Sequence, residues 1–241
     1  MTHSLRTSLL VYLGLMAYLV LVKTVLMFLP AVFRSPAQAK VFAWPAIAIF
    51  AVAGSIGVFL ADRTGFPAAW GGEIPARRRF LGPTLCGLGL GVLAILTDWA
   101  TGWTRIAASQ MHLPTIHIEW PASLLIYPGG AIIVEVFYRL LLVPLLLWLI
   151  SWLFLGDRPE QRTFVFWILA VITSLAEPLT QDLSSVLHGP AQFAFALVFL
   201  EDFALNLLQA AVFRKYGFLS AVWVRVVFYI LWHVLWPAMG H

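Results

Sequence analysis

The chain has 241 residues, of which 61% are hydrophobic and 11% are charged, and its formal net charge is +4. Soluble domains are nearer about 45–50% apolar and about 25% charged, so this composition excludes an ordinary soluble protein and indicates a polytopic membrane protein. The small positive charge then relates to lipid and membrane orientation rather than to nucleic acid. A single cysteine, Cys86, excludes an intrachain disulfide and a thiolate metal cluster.

Seven apolar stretches are long enough to cross a membrane as helices, since about 20 residues span about 30 Å of hydrocarbon. The predicted fold is an all-α transmembrane helix bundle of seven or eight spans with short loops. The predicted spans are 8–29, 41–61, 80–98, 122–155, 164–180, 191–213 and 218–236. The fourth stretch is long enough for a span plus an interfacial or re-entrant piece, and we expect breaks at Pro128-Gly-Gly130 and at Pro144.

Basic residues predict the orientation of these spans, because loops rich in arginine and lysine face the cytoplasm. With the N-terminus inside, nine of them fall on the inner side: Arg6, Arg63, Arg77, Arg78, Arg79, Arg158, Arg162, Arg214 and Lys215. Three fall outside: Arg34, Lys40 and Arg105. This asymmetry predicts a cytoplasmic N-terminus and, for seven spans, an external C-terminus. We expect the arginine run 77–79 to contact anionic head groups.

Charged and polar residues recur at helical spacing inside the later spans, where one charge costs roughly 2.5–3.5 kcal/mol on insertion scales. In the fourth span Glu135 and Arg139 are spaced i and i+4 and can pair. The fifth span carries Thr173, Glu177, Thr180 and Gln181; the sixth carries Glu201, Asp202, Asn206 and Gln209; the seventh carries Arg225, Tyr229 and His233. Because lipid cannot solvate these groups, we expect them to converge on the bundle interior or on a wet cavity.

Three uses of such a cavity remain open from the residues alone. The groups can form a structural polar core that joins the helices, or they can relay protons or ions. They also suffice for water-driven amide hydrolysis, with a buried carboxylate as general base and a cation or histidine opposite the developing oxyanion. Metal ligation by Glu177, Glu201, Asp202 and His233 has no diagnostic spacing, and no metal or other cofactor is predicted.

The second half of the chain, residues 120–241, resembles the CPBP family, the CAAX-protease and bacteriocin-processing intramembrane endopeptidases. Val134-Glu135-Val-Phe-Tyr-Arg139 is similar to the family motif Glu-Glu-x-x-x-Arg in an apolar helix. Thr173-Ser-Leu-Ala-Glu177 lies where the family has Phe-x-x-x-His, with Glu177 in the place of the histidine. The third motif, a Gly-x-Leu-x-x-Ala-like entry followed by His and then Asn, corresponds to the helix from Gly217 through Arg225 to Tyr229.

The short loops predict one integrated membrane domain, in which residues 1–119 hold the first three spans and a loop, and the resemblance implies that residues 120–241 form the helical core. It implies that the first motif glutamate activates water, and Val134 occupies that position. By position, the last family histidine corresponds to Arg225 or Val226. Glu135 then takes over as the base, or the chain no longer cleaves peptides.

The first functional hypothesis is an intramembrane endopeptidase acting on a membrane-associated peptide or protein. Its predicted catalytic residues are Glu135, Arg139, Glu177, Arg225, Tyr229 and His233, and its predicted substrate-binding residues are Asp202, Asn206 and Gln209. A non-catalytic scaffold, chaperone or peptide or lipid binder is the alternative, and a small proton-coupled transporter is a third. The expected location is a bacterial inner (plasma) membrane, with lipids as partners and no nucleic acid. The loop histidines His112 and His117 are predicted to be ordinary polar residues, and His188 is predicted to belong to a turn.

Overall fold

The computed structural model is an all-helical bundle with no strand among the residues that it describes, namely 3–29, 32–33, 36–71, 74–155, 159–181 and 191–240. Seven helices in this part of the chain are long and apolar enough to cross a membrane, which confirms the predicted fold class. A helix satisfies its own backbone hydrogen bonds, as any span in lipid must. Arg34, Arg158 and the predicted turn at His188 lie outside the described residues.

The N-terminal half contributes three spans and two short helices. These are α1 (His3–Leu26), α2 (Pro36–Val41), α3 (Trp44–Arg63), α4 (Ala76–Thr101) and α5 (Trp103–Gln110). Pro45 lies in the first turn of α3, where the missing N–H has no helical partner to lose. The last turn of α4 ends on Gly102, whose φ of 64° is in the left-handed region that favours glycine.

The fourth span, α6, is one unbroken helix, so the predicted breaks at Pro128-Gly-Gly130 and Pro144 are wrong. It passes through Ser123–Glu135, a π-helical segment Val136–Leu142, Val143–Ile150 and a second π-helical segment Ser151–Leu155. In a regular α-helix the proline ring clashes with the carbonyl group four residues earlier. The wider π-helical turn around residue 140 makes room for Pro144, so the helix continues.

Three further helices follow in the described part of the chain: α7 (Pro159–Gln181), α8 (Gln192–Tyr216) and α9 (Phe218–Ala238), the last with a π-helical segment at Ile230–Leu235. The predicted spans agree with these helices to within a few residues at most ends, and the first begins five residues earlier than predicted, at His3 rather than at residue 8. Helix ends are the least regular part of a helix, so differences of this size are expected.

Helix α9 lies at the centre of the packing, with α4, α6 and α8 against it, while α7 packs on α8 and α3 packs on α6. Glycines permit the closest approaches, as is usual between membrane helices. A Cβ atom on Gly87 of α4 would lie 2.7 Å from the carbonyl oxygen of Val224 on α9. Gly57 of α3 faces the backbone carbonyl of Leu140 on α6 in the same way. This arrangement brings the polar face of α9 against the polar faces of α6, α7 and α8.

The arginine run 77–79 does not act as one unit, and for Arg79 the prediction that the run contacts head groups is wrong. Arg77 and Arg78 are exposed, but Arg79 is buried. Its guanidinium donates to the carbonyl oxygens of Ala68 at 2.7 Å, Gly71 at 2.8 Å and Tyr216 at 2.6 Å. Arg79 therefore fastens the loop before α4 to the C-terminal end of α8, where helix carbonyls lack partners.

Candidate functional site

Polar residues from four spans meet in the interior of the bundle, as the sequence predicts. Helix α6 supplies Glu135 and Arg139, α7 supplies Glu177, α8 supplies Asn206 and Gln209, and α9 supplies Arg225. Each of these residues is at most 6% exposed. We call these six residues the central network. Two carboxylates and two guanidinium groups make it formally neutral, which limits the cost of burying it.

Arg225 is the hub of the central network. Its Nη1 and Nη2 atoms each lie 3.0 Å from one carboxylate oxygen of Glu177, which makes a bidentate pair. Its Nε donates to Oε1 of Glu135 at 3.2 Å. Nη2 also lies 2.7 Å from Oδ1 of Asn206 and 2.9 Å from Oε1 of Gln209. Fork-to-fork pairs of this kind are the stronger charge-assisted hydrogen bonds, so α9 is tied to three other spans through one side chain.

Glu135 and Arg139 form a weaker pair than their spacing suggests. The distance from Arg139 Nε to Glu135 Oε2 is 3.9 Å, an ion-pair distance but not a hydrogen bond. Arg139 instead donates from Nη2 to the backbone oxygen of Asn206 at 2.7 Å and to the Asn206 side-chain oxygen. Among the described residues, Glu135 Oε2 and the Nε and Nη1 atoms of Arg139 are buried without a hydrogen-bond partner. Buried polar atoms of this kind often bind water.

The two amides of α8 link the arginines to the backbone. The Asn206 side-chain oxygen accepts from both Arg139 and Arg225, and its Nδ2 donates to the backbone oxygen of Asp202 at 2.8 Å. Gln209 Nε2 donates to the backbone oxygen of Ala221 at 3.4 Å. The predicted substrate-binding residues Asn206 and Gln209 are thus internal partners of the arginines, while the half-buried Asp202 contributes its backbone to this hydrogen-bond chain.

The polar residues of α7 differ in their hydrogen bonding, and not all of them join the central network. Thr173 donates back to the carbonyl oxygen of Leu169 at 2.8 Å, within its own helix. Ser174 is fully buried, and its hydroxyl has no hydrogen-bond partner among the described residues. Thr180 donates to the backbone oxygen of Glu177 at 2.8 Å, while the side chain of Gln181 lies outside the described part of the chain. Glu177 is therefore the residue through which α7 joins the central network.

Tyr229 and His233 lie one and two turns further along α9, in an aromatic cluster beside the network. Arg225 Nη1 donates to the Tyr229 hydroxyl at 3.0 Å. The His233 ring stacks on Tyr127 at 4.3 Å between centroids, and its Nδ1 lies 3.1 Å from Nδ1 of His117. This contact joins His233 to another histidine, whereas Arg225 is the partner of Glu135 and Glu177. His233 is thus a neighbour of the carboxylates, not a member of their network.

His117 is the main residue that the sequence interpretation missed. It is only 4% exposed, and burial lowers the pKa of its ring from 6.5 to about 4, although the nearby Asp98 opposes this. At neutral pH the ring is therefore uncharged, and its Nδ1 can donate to or accept from Nδ1 of His233. Its loop position and lack of periodicity gave no signal that it meets α9.

Acidic residues outside the network have separate hydrogen-bonding roles. Asp98 accepts from the backbone N–H and hydroxyl of Thr104 at 3.0 and 2.7 Å, and from the indole N–H of Trp236 at 2.9 Å. It joins the ends of α4 and α9 to the start of α5. Glu201, which the sequence grouped with Asp202, accepts from the hydroxyl of Thr97 on α4. Within the described residues, no group of three histidine, cysteine or acidic side chains is placed to hold a metal ion.

Cavities of about 330 to 430 Å³ occur at the ends of the bundle, and their walls contain none of the six residues of the central network. The network is therefore not part of these larger openings. No family model matches this chain, and neither a curated protein nor a solved structure matches it.

Proposed function

We propose that this chain is a non-hydrolytic membrane protein of CPBP-like fold, a scaffold or binder of membrane peptides or lipids. In this proposal, the buried ion pairs of the central network take the place of the reactive residues in the family that the sequence resembles. The bidentate pair between Arg225 and Glu177, with both contacts at 3.0 Å, is the observation that carries it. The N–H groups of Arg225 that bond Glu177 would have to release it before they could act on a substrate.

The departures from the family pattern complement each other. The family motifs have histidine at the position of Glu177 and at that of Arg225 or Val226, and with the Arg225 alignment one position is acidic here and the other is basic. These two side chains meet directly. The third departure, Val134, removes the acid that the resemblance assigns to water activation. Two changes that together create a buried ion pair support replacement of a reactive site by a structural one.

The bonding of the network also disfavours hydrolysis on chemical grounds. Arg225 is 2% exposed and bonds to five side chains, so it would have to release one of them to polarise a scissile carbonyl group. Both oxygens of Glu177 already accept from Arg225. A general base needs a lone pair within reach of the water that it deprotonates. Each Glu177 oxygen already uses one of its two lone pairs on the guanidinium of Arg225, so a water would have to compete with this pairing for Glu177.

A reconstitution experiment tests the proposal. The wild-type protein, the Glu135→Gln variant and the triple variant Val134→Glu, Glu177→His, Arg225→His are placed in liposomes with a panel of membrane-anchored peptides. Mass spectrometry then detects cleavage products. We expect no cleavage by the wild type or by Glu135→Gln, and equal photo-crosslinking of the peptides to both. Cleavage by the triple variant, which restores the family pattern, would show that the panel contains a suitable substrate.

The second candidate function is the intramembrane endopeptidase with Glu135 as the base. The buried Oε2 atom of Glu135, which lacks a hydrogen-bond partner among the described residues, favours it because a water there would also reach the donors of Arg139. This candidate predicts cleavage by the wild type that Glu135→Gln abolishes. That single result would overturn the non-hydrolytic proposal and leave the CPBP-like fold in place.

A further inference from the structure

A cavity of about 340 Å³ with both apolar and polar lining residues lies at one end of the bundle, far along α6 from the aromatic cluster. The end of α3, the end of α6 and the first turns of α7 surround it. Its polar and aromatic lining residues are Arg63, Thr64, Trp148, Ser151, Trp152 and Arg162. We call it the Arg63–Arg162 pocket. Ligand pockets begin at about 300 Å³, so it is large enough for a phosphate with its ester groups.

We propose that the Arg63–Arg162 pocket binds a phosphate monoanion or diester, and that its source is the head group of an anionic phospholipid. The inference is independent of the central network and of the proposed loss of hydrolysis. Two guanidinium groups contribute to one pocket wall. Arginine forks match phosphate oxygens in geometry and charge, which makes arginine the preferred side chain for such recognition.

The geometry of Arg63 supports an anion in the pocket. Its guanidinium carbon lies 4.5 Å from the centre of the Phe59 ring, a cation–π distance. This contact holds the guanidinium group in place beside the pocket and uses the ring rather than an acidic side chain. Asp62, the acid adjacent in sequence, lines a different cavity beside α1.

Ser151 gives an independent indication of a ligand. It is 7% exposed, and its hydroxyl is buried without a hydrogen-bond partner among the described residues, although it lies in a pocket wall. A buried hydroxyl without a partner is unfavourable. A rotation of the Ser151 side chain that turned its hydroxyl into the pocket would let it donate to a phosphate oxygen. Ser151 is also the first residue of the second π-helical segment, a local distortion that frequently marks a functional position.

The position of the pocket along the membrane favours lipid over free phosphate. Arg63 ends one span, and Arg162 lies in the first turn of another, so the pocket lies at head-group depth. The Trp148 and Trp152 rings are parallel, with centroids 6.2 Å apart and an angle of 4°, and Trp152 is 70% exposed to the bundle exterior. Tryptophan is enriched at this interface, where one part contacts acyl chains and another contacts head groups. The positive-inside pattern assigns this end to the anionic cytoplasmic leaflet.

Lipid retention by the purified full chain tests this inference. The protein is delipidated in detergent and titrated with short-chain phosphatidylglycerol or phosphatidylcholine, and bound lipid is measured by native mass spectrometry. The double variant Arg63→Gln, Arg162→Gln is compared with the matched control Arg77→Gln, Arg78→Gln. The control removes the same charge from exposed residues at the same end of the bundle. We expect at least a tenfold loss of phosphatidylglycerol affinity in the first variant and less than a twofold change in the control.

Further variants and competitors keep the result interpretable. The double variant Arg63→Lys, Arg162→Lys retains the charge but not the planar guanidinium groups. Its affinity for phosphatidylglycerol should fall severalfold while its unfolding temperature stays unchanged. Ser151→Ala should weaken retention with no change in net charge. Competition by millimolar inorganic phosphate or glycerol phosphate would assign the site to soluble phosphate. The proposal would be overturned if the pocket and control variants lost phosphatidylglycerol affinity equally. It would also be overturned if the wild type bound phosphatidylcholine as tightly as phosphatidylglycerol.

Discussion

Arg225 of α9 holds both carboxylate oxygens of Glu177 of α7 at 3.0 Å, in a pair that is at most 8% exposed on either side. The two residues are 48 positions apart in the chain and belong to helices that also pack through α8. Breaking a buried pair by removing one partner leaves an uncompensated charge. This relationship therefore makes a stability experiment informative about the whole network.

Replacing Arg225 with glutamine should destabilise the protein by about 3–5 kcal/mol, because Glu177 and Glu135 lose their shared cation. Glu177→Gln should also destabilise it, and the double variant should cost less than the sum of the two. Reversible unfolding in mixed detergent micelles measures the free energies. Arg105→Gln, which changes an exposed arginine, is the control and should fall within about 0.5 kcal/mol. Strict additivity of the two single changes would contradict the coupling.

Lowering the pH should destabilise the fold through His117. Its pKa is 6.5 as a free side chain and about 4 when buried, so the unfolded chain binds more protons between these values. The free energy of unfolding is therefore not reduced by His117 above about pH 6.5. It decreases by up to about 3 kcal/mol as the pH falls toward 4. The unfolding temperature followed from pH 7 to pH 4 measures this loss. His117→Gln should flatten the profile, and the exposed His112→Gln should leave it unchanged.

Shortening Arg79 to lysine should destabilise the protein by about 2–4 kcal/mol, because several buried carbonyl groups lose donors at once. A lysine ammonium group cannot reproduce the planar fork that reaches Ala68, Gly71 and Tyr216 together. Arg78→Lys, one position away and exposed, is the matched control and should be nearly neutral. Equal thermal stability of the two variants would argue against Arg79 as the fastening between the loop and α8.

Adding a methyl group at Gly57 should push α3 away from α6. The new Cβ would meet the backbone carbonyl of Leu140, and backbone cannot move aside as a flexible side chain can. We expect Gly57→Ala to cost about 1–3 kcal/mol. Gly14→Ala on α1 is the control, since nothing lies within 4 Å of its Cβ position and alanine favours helix by about 1 kcal/mol. The free energy of unfolding, measured in detergent, should therefore decrease for Gly57→Ala and increase for Gly14→Ala.

The sequence by itself determined the spans and the convergence of the polar residues. Apolar runs of about 20 residues can only be helices in lipid, and buried charges can only face inward. The i and i+4 spacing of Glu135 and Arg139 also predicted their proximity, and their ion-pair distance of 3.9 Å agrees with it. These conclusions follow from the period of one helix and need no knowledge of its neighbours.

Only the tertiary structure decided which charges are partners. Helical spacing cannot predict that Arg225 rather than Arg139 holds the carboxylates, because that depends on the rotation of α9 against α6, α7 and α8. It also cannot predict that His117, in a loop without periodicity, meets His233, or that Pro144 passes through α6 on a π-helical turn. The distances between helices decide which charged side chains become partners. Those distances depend on side-chain packing and on backbone distortion, and neither is periodic in the sequence.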